Sequence, residues 1–272
     1  MSEPVLSIRD LSIDYVGLDS DMHAVKAVSF DIGPGEVFGL AGESGCGKST
    51  IAFAISRLHR PPALIRSGEI VVGGRNVLDL DADELRRFRW RDVAMVFQSA
   101  MNSLNPVLSI ETQFYDVLHT HAGMNRAEAR ARAAELLRLV DIPAERLASY
   151  PHQCSGGMRQ RIVIAICLAL NPKLLIMDEP TTALDVVVQR EILQRIDALR
   201  RQFGFSVLFI THDLGLMAQM CDRIGVMLEG ELVEVNDAQS IYRRPRHPYT
   251  RKLWASMPRL RGERVRLEGG DA

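Results

Sequence analysis

The stretch that decides the fold reads Gly42-Glu43-Ser44-Gly45-Cys46-Gly47-Lys48-Ser49-Thr50. It has a glycine, four free positions and then Gly-Lys-Ser, a pattern that predicts a phosphate-binding loop, called the phosphate loop below. Glycines let the backbone curl without Cβ clashes, so successive N–H groups can point inward at phosphate oxygens. A helix that follows the loop would add the positive end of its dipole.

The flanking residues fit this prediction. Residues 37–41 are an apolar run typical of a buried strand, and residues 50–55 fit the start of a helix. The Lys48 side chain can bridge the outer phosphates of a nucleotide, and the Ser49 hydroxyl can ligate Mg²⁺. We therefore predict that residues 42–50 bind a nucleotide.

The composition excludes several classes of partner and location. Of 272 residues, 47% are hydrophobic and 25% are charged, which is an ordinary soluble composition. The net charge is −1 and no basic stripe stands out, so we expect no nucleic-acid partner. The longest apolar run, residues 162–170, is too short to cross a bilayer, and residues 1–4 lack the pattern of a secretory signal, so we expect neither a membrane span nor such a signal. The four cysteines are scattered without metal-ligand spacing, which suits a reduced cytosolic setting.

Alternating apolar and polar residues near the N-terminus predict an antiparallel pair of strands. Residues 5–15 alternate with a slip near Asp10 and are interpreted as an edge strand, and residues 24–32 alternate again. Tyr15 could stack on an adenine ring, since a flat aromatic face can cover a purine. It could equally be an ordinary strand tyrosine, which its spacing alone favours.

Further along the chain, apolar runs end in polar residues at Gln98, at Asp178 with Glu179, and at His212. A polar side chain at the C-terminal end of a parallel strand is well placed to contact a ligand. Gln98 could contact Mg²⁺ or water there, or it could be a solvated strand end. His212 could act at the same site or be structural.

The two acids, Asp178 and Glu179, end one of these runs. Because side chains alternate along a strand, adjacent acids should face different ways and can take different roles. The first could hold Mg²⁺ and the second could polarise a water. A salt-bridged pair is the structural alternative.

Between residues 99 and 150 the pattern changes from strands to helices. Asn125 with Glu128 fits a capping box, and the helix that follows carries one apolar stripe, formed by Ala133, Leu136, Leu137 and Val140. We expect an all-helical lobe inserted between strands.

Two further helix starts carry candidate site residues. Ser155-Gly156-Gly157 precedes a helix and could receive an anion or simply cap that helix. Asp185 begins another helix. Beyond them, residues 224–235 predict a hairpin that turns at Glu229-Gly230, residues 247–256 a last amphipathic helix, and residues 268–272 disorder.

Taken in order, these residues resemble an ABC-type ATPase subunit, over nearly the whole chain. The series comprises residues 42–50, Gln98, Cys154-Ser155-Gly156-Gly157-Met158, residues 174–179, Thr182-Ala183-Leu184-Asp185 and His212. The resemblance implies an α/β fold, with a P-loop NTPase core of mixed sheet, an antiparallel β subdomain and an inserted α-helical lobe. The nucleotide-binding domain would span residues 1–245, with the lobe at about 99–165, and residues 246–272 would form a C-terminal tail of the peptide-importer type.

A narrower set of motifs looks like the ATPase subunits of dipeptide and oligopeptide importers. The motifs are Phe97-Gln98 with Ser103-Leu104-Asn105-Pro106, Tyr150-Pro151-His152-Gln153, Met158-Arg159-Gln160-Arg161 and His247-Pro248-Tyr249-Thr250. Nickel importers and some oligosaccharide importers share this branch. Cys154 replaces the usual leucine, which should alter packing more than chemistry. Many relatives carry a cysteine cluster in the tail that resembles an iron–sulfur site, but no cysteine follows Cys221, so we expect no iron–sulfur cluster.

The resemblance also implies a role for each site residue. Lys48 and the phosphate loop (Gly42, Glu43, Ser44, Gly45, Cys46, Gly47, Lys48, Ser49 and Thr50) would hold ATP, and Tyr15 would stack on its adenine. Ser49 and Asp178 would place Mg²⁺, and Gln98 would sense the metal and the attacking water. Glu179 would be the general base or would position that water, and His212 would contact the γ-phosphate. A trans site of Ser155, Gly156, Gly157 and Asp185 would serve the ATP of an opposite subunit.

Partners and a location follow from the same resemblance. A second ATPase subunit, which in this branch is usually a paralogue, would meet this chain head to tail. Two membrane permease subunits and an extracytoplasmic solute-binding protein would complete the assembly, with this chain peripheral at the cytoplasmic face of the plasma (inner) membrane. The alternatives are import of nickel or oligosaccharides, a non-transport ABC ATPase, and a regulatory subunit without turnover, against which Glu179 and His212 argue.

Overall fold

Two β-sheets form the framework of the chain, which the computed structural model describes over residues 3–17, 20–98, 100–181 and 185–255. In chain order the strands are β1 (Leu6–Tyr15), β2 (Met22–Ile32), β3 (Val37–Ala41), β4 (Ala63–Val72), β5 (Arg75–Asn76), β6 (Val93–Val96), β7 (Leu174–Asp178), β8 (Ser206–Ile210), β9 (Arg223–Leu228) and β10 (Glu231–Asp237). The α-helices are α1 (Lys48–Ile55), α2 (Ala82–Arg91), α3 (Ile110–Ala122), α4 (Arg126–Leu139), α5 (Gly156–Cys167), α6 (Val186–Phe203), α7 (Leu214–Met220), α8 (Ala238–Arg243) and α9 (Pro248–Ala255). Short 3₁₀ helices span Val77–Asp79, Ala100–Asn102, Ala144–Ala148 and Pro151–Gln153.

The larger sheet carries the phosphate loop. Its strands lie in the order β10-β9-β3-β8-β7-β6, and each pair is parallel except β10 with β9. Every residue of β3, β7 and β8 is buried, as expected for parallel strands that are covered on both faces. Successive residues alternate between two hydrophobic clusters, so Phe38 and Leu208 pack on one face while Val37 and Val207 pack on the other.

The smaller sheet is antiparallel, with the strand order β2-β1-β4-β5. The expectation that residues 5–15 form an edge strand is wrong, because β1 pairs with β2 on one side and with β4 on the other. The slip at Asp10 has a physical cause, since its φ is 47° and the register shifts beside it in both pairings. The break in alternation is therefore a bulge inside the sheet and not the sign of an edge.

The chain between β6 and β7 is helical, as its pattern predicts. Both hydrogen bonds of the predicted capping box, from Asn125 and from Glu128, are present at the start of α4. The predicted apolar stripe of α4 is buried and belongs to the same hydrophobic cluster as Val207 and Phe209 of β8. The helical region thus packs on one face of the larger sheet.

The C-terminal part of the chain returns to the opposite edge of this sheet. The hairpin of β9 and β10 turns at Glu229 and Gly230, as predicted, with φ values of 48° and 87°. The predicted helix over residues 247–256 corresponds to α9, and the disorder expected for residues 268–272 lies outside the described residues. Within the described ranges, no helix is both long enough and apolar enough to cross a membrane.

Gly68 of β4 faces the bulge of β1 and tests how closely the two strands approach. Its φ is +101°, and an added Cβ would lie 2.5 Å from Leu11 Cα and 2.7 Å from the Asp10 carbonyl oxygen. We expect Gly68→Ala to lower the free energy of unfolding by about 2–5 kcal/mol, because left-handed strain and overpacking add. Urea unfolding followed by circular dichroism measures this loss.

Gly123→Ala is the matched control for this substitution. Gly123 has a φ of +69°, but apart from its two chain neighbours no atom of the described residues lies within 4 Å of an added Cβ. The free energy of unfolding of Gly123→Ala should therefore fall only by the cost of left-handed strain, about 1–2 kcal/mol. Equal losses in the two variants would contradict the close approach of β1 and β4.

Candidate functional site

The register of the larger sheet brings the candidate residues together at the C-terminal ends of its parallel strands. Leu40 of β3 is level with Ile210 of β8, Ile210 is level with Asp178 of β7, and Met177 is level with Val96 of β6. The segments that leave these strands carry the phosphate loop, His212, Glu179 and Gln98. Because the carboxyl ends of parallel strands lie on the same side of a sheet, these groups lie close together, at the position where α/β proteins bind ligands.

Three glycines allow the phosphate loop to take its path. Gly42, Gly45 and Gly47 have φ values of 149°, 82° and 103°. An added Cβ would lie 2.4 Å from the Met227 carbonyl oxygen at Gly42, and 2.4 Å from the Ala24 carbonyl oxygen at Gly47. The loop therefore needs glycine at these two positions both for its backbone conformation and for its close approach to β9 and β2.

Lys48 occupies the inside of the loop. It is only 8% exposed, and its Nζ donates to the carbonyl oxygens of Gly42 at 2.9 Å and Glu43 at 2.7 Å, with the Cys46 Sγ at 3.4 Å. Gly47 is the N-cap of α1, and no side chain caps the first turn of this helix in the described structure. Its first N–H groups can therefore receive an anion, which fits a nucleotide phosphate.

Ser49 and Asp178 supply neighbouring oxygen ligands. Asp178 is 4% exposed, and burial raises the pKa of its carboxyl, an effect that a hydrogen bond with the Ser49 side chain opposes. Across the described ranges, no three His, Cys, Asp or Glu side chains cluster so that they could hold a metal ion by themselves. A cation at Ser49 and Asp178 would therefore take its other ligands from phosphate oxygens and water, a donor set that fits Mg²⁺.

Glu179 lies between two other candidate residues. Gln98 Nε2 donates to Glu179 Oε2 at 3.0 Å, and His212 Nδ1 lies 3.4 Å from Glu179 Oε1. The side chain of Glu179 is 22% exposed and that of His212 is 65% exposed. The three side chains therefore form one group that is open to solvent on the histidine side.

The direction of Glu179 does not come from strand alternation, contrary to the expectation from the sequence. β7 ends at Asp178, and Glu179 has a φ of 45°, in the left-handed region. Its N–H donates to the Ile210 carbonyl oxygen at 2.8 Å, which fixes the turn. A left-handed non-glycine residue is uncommon and costs conformational free energy, about 1–3 kcal/mol.

Tyr15 lies beside the end of the phosphate loop. Its hydroxyl is 3.2 Å from the Thr50 Oγ1, and the Thr50 side chain is buried. The end of β1 is therefore joined to the first turn of α1 by side chains. This contact brings the aromatic ring next to the loop, while its predicted stacking on adenine stays a prediction.

The predicted trans-site residues lie together at the first turns of two helices. Ser155 caps α5 by accepting from the Met158 N–H at 3.3 Å, and Asp185 caps α6 by accepting from the Val188 N–H at 3.0 Å. The two turns touch, since an added Cβ on Gly157 would lie 2.8 Å from Val188 Cγ1. Gly156, the first residue of α5, is part of the same surface.

One contact of the phosphate loop was not predicted from the sequence. The Glu43 N–H donates to the Tyr249 hydroxyl at 3.2 Å, although the two residues are 206 positions apart in the sequence. Tyr249 belongs to the His-Pro-Tyr-Thr motif, which signalled a resemblance to peptide importers but gave no sign of where the motif packs. Local spacing carries no information on a contact of this length.

Two family models match this chain. The family model for ABC transporters matches residues 25–182. A second model, described as the C-terminal region of oligopeptide/dipeptide transporters, matches residues 233–270. The two matches cover the phosphate loop, the serine-glycine-glycine segment and the segment that contains Tyr249.

Two curated relatives come from Bacillus subtilis. The oligopeptide transport ATP-binding protein OppD is 44% identical, over 94% of this chain and 72% of its own length. The dipeptide transport ATP-binding protein DppD is also 44% identical, over 95% of this chain and 78% of its own length. Their similarity therefore extends through nearly all of the chain.

A solved structure supports the same assignment. The ATP-binding cassette MJ0796, in a dimeric post-hydrolysis state bound to ADP and phosphate, superposes with a TM-score of 0.75 at 30% identity. The match covers 86% of this chain and 98% of that chain. The predicted fold class and the predicted resemblance are both confirmed by these comparisons. The chain belongs to the ABC transporter family, as one of its ATP-binding and ATP-hydrolysing subunits.

Proposed function

We propose that this chain hydrolyses ATP at the C-terminal ends of the parallel strands of the larger sheet and thereby powers peptide import through a membrane transporter. The observation that carries the proposal is the Glu179 carboxylate, which lies between Gln98 and His212 and next to the buried Asp178. The peptide class is supported by the names of the two Bacillus relatives and by the match of residues 233–270.

Lys48 and the N–H groups of the phosphate loop would bind the phosphates of ATP. The Lys48 ammonium donates to two carbonyl oxygens of the loop, which hold it inside the loop where phosphate oxygens would bind. Ser49 and Asp178 would hold Mg²⁺, which when bound neutralises charge on the β- and γ-phosphate oxygens. Tyr15, next to Thr50, would stack on the adenine.

Glu179 would act as the general base or would position the attacking water. Gln98 is a neutral donor, so its hydrogen bond orients the Glu179 carboxylate without neutralising it. His212, exposed at the end of β8, would contact the γ-phosphate. Gln98 leaves β6 just before the helical region, so a change in its contact with the metal or the water would reach the helices directly.

A second ATPase subunit, which we expect to be a paralogue, would complete the site. Ser155, Gly156 and Gly157 would reach the nucleotide that this second subunit binds, and Asp185 would contact the interface between the two. The relative MJ0796 is dimeric in its solved structure with ADP and phosphate, which supports a two-subunit arrangement.

The remaining partners would be two membrane permease subunits and an extracytoplasmic solute-binding protein. This chain would lie peripherally at the cytoplasmic face of the plasma (inner) membrane. The connector that follows Gln98 would contact a permease, and Val107 within it is 76% exposed. Closure of the ATPase dimer would move this surface and so couple hydrolysis to transport.

Glu179→Gln keeps the size of the side chain and removes the base. A positioned base contributes about 10²–10⁴-fold in rate, which is roughly 3–5 kcal/mol of activation free energy. We expect the variant to bind ATP normally, to lose kcat by about that factor, and to accumulate as an ATP-bound dimer. Phosphate release by the assembled transporter and size-exclusion chromatography with ATP measure these effects.

The control for this variant is Glu231→Gln. Glu231 is exposed at the start of β10, on the edge of the larger sheet opposite β6. This variant should keep the wild-type kcat and should form no trapped dimer. A near wild-type kcat in Glu179→Gln would remove the proposed role of Glu179.

Lys48→Ala tests the phosphate loop itself. Hydrogen bonds to a charged group contribute about 1.5–3 kcal/mol, so we expect ATP affinity to fall about 10- to 150-fold and hydrolysis to be lost. Equilibrium dialysis with labelled ATP measures the affinity. Lys26→Ala, which changes an exposed lysine of β2, should bind ATP as the wild type does. Tight binding by Lys48→Ala would show that the phosphates bind elsewhere.

A cysteine at Val107 tests the permease contact. All four native cysteines are buried, so an introduced exposed cysteine should react selectively with a thiol crosslinker. We expect Val107→Cys in the assembled transporter to join to a permease subunit. Met22→Cys, in the exposed start of the strand β2, should give no such product. Crosslinks from both variants, or from neither, would contradict the proposed surface.

A further inference from the structure

The C-terminal segment touches the phosphate loop through one side chain. The Tyr249 hydroxyl accepts the Glu43 N–H at 3.2 Å. Burial raises the pKa of the Tyr249 phenol, so the hydroxyl stays neutral at physiological pH. Tyr249 lies in the first turn of α9, and the loop residue it contacts follows the first glycine of the phosphate loop.

The contact holds a peptide that Lys48 holds from its other end. The Glu43 N–H and the Gly42 carbonyl belong to the same peptide unit, and the two groups of a trans peptide point in opposite directions. Lys48 Nζ donates to that carbonyl oxygen at 2.9 Å, while Tyr249 accepts from the N–H. The peptide therefore lies between the lysine inside the loop and the tyrosine outside it.

This peptide needs such support, because it follows a glycine. Gly42 has a φ of 149°, and glycine restricts the rotation of an adjoining peptide less than any other residue. Lys48 also donates to the Glu43 carbonyl oxygen at 2.7 Å. Rotation of the Gly42–Glu43 peptide would thus move the Gly42 oxygen, one of the two carbonyl oxygens that define where the Lys48 ammonium lies.

Tyr249 is itself held firmly. The two carboxylate oxygens of Glu234 accept the N–H groups of Arg246 at 2.8 Å and His247 at 2.9 Å. Thr250 is fully buried, and Trp254 of the same helix packs against the main hydrophobic cluster. The start of α9 is therefore fixed to β10, and Tyr249 presents its hydroxyl to the loop from a rigid base.

We propose that Tyr249 is a positioning residue for ATP binding, because it fixes the Gly42–Glu43 peptide and through it the Lys48 ammonium. The proposal rests on the phosphate-binding role of Lys48. It gives the C-terminal segment a function at the nucleotide site of its own subunit. Loss of the hydroxyl leaves the peptide free to rotate, so Lys48 is less often in the position that binds phosphate.

The test compares two substitutions that each remove one phenolic hydroxyl from the C-terminal region. Tyr249→Phe removes the acceptor of the Glu43 N–H. Tyr242→Phe is the matched control, because Tyr242 is an exposed residue of α8 whose ring packs edge-on against Trp254. Amide exchange of the full-length, nucleotide-free chain is measured by NMR, and ATP affinity is measured by equilibrium dialysis.

We expect Tyr249→Phe to speed exchange of the Glu43 amide and to weaken ATP binding, each by about 2- to 12-fold, the range of one neutral hydrogen bond. The amides of α9 should keep their exchange rates, and Tyr242→Phe should match the wild type throughout. An unchanged Glu43 amide or an unchanged ATP affinity would overturn the proposal. So would faster exchange throughout α9, because the effect would then be general loosening of the helix.

Lys48→Ala separates this proposal from the one on which it rests. If Lys48→Ala loses ATP affinity while Tyr249→Phe keeps it, only the role of Tyr249 is overturned. If Lys48→Ala binds ATP as tightly as the wild type, the role of Lys48 fails and that of Tyr249 fails with it. Loss in both variants, larger for Lys48→Ala, supports both roles.

Discussion

The parallel register of β3, β8, β7 and β6 is the constraint on which the rest of the structure depends. Backbone hydrogen bonds between these strands align their C-terminal ends, where Leu40, Ile210, Asp178 and Val96 lie. The strands are buried on both faces, so a shift of one residue would exchange the two hydrophobic clusters. Burial of apolar side chains thus fixes where the polar groups lie.

Features that depend on local spacing could be predicted from the sequence. The phosphate loop, the capping box at Asn125 and the hairpin turn at Gly230 involve residues only a few positions apart, and each is present. The neighbours of a strand are a different kind of property. The alternation of β1 indicates that one face is buried, but it gives no information on whether both sides of the strand are paired. The bulge at Asp10 interrupts the alternation, and this irregular pattern led to the prediction of an edge strand.

Long-range contacts account for the parts of the site that could not be predicted. Glu179 is left-handed because its N–H meets the Ile210 carbonyl on the neighbouring strand. The contact between Glu43 and Tyr249 joins the phosphate loop to the C-terminal helix α9. Both bonds depend on how the strands and α9 pack, and packing is decided by the whole chain. Residue types that suit a role can be recognised in the sequence, whereas the directions of their side chains are set by the fold.

A buried ammonium needs acceptors whether or not a ligand is bound. Lys48 finds them in the carbonyl oxygens of Gly42 and Glu43, so the backbone of the loop holds the ammonium in place. On the proposed function, phosphate oxygens would meet an ammonium that the backbone of the loop already positions. Small movements of the Gly42–Glu43 peptide would move this ammonium, and Tyr249 contacts this peptide on the side away from the lysine.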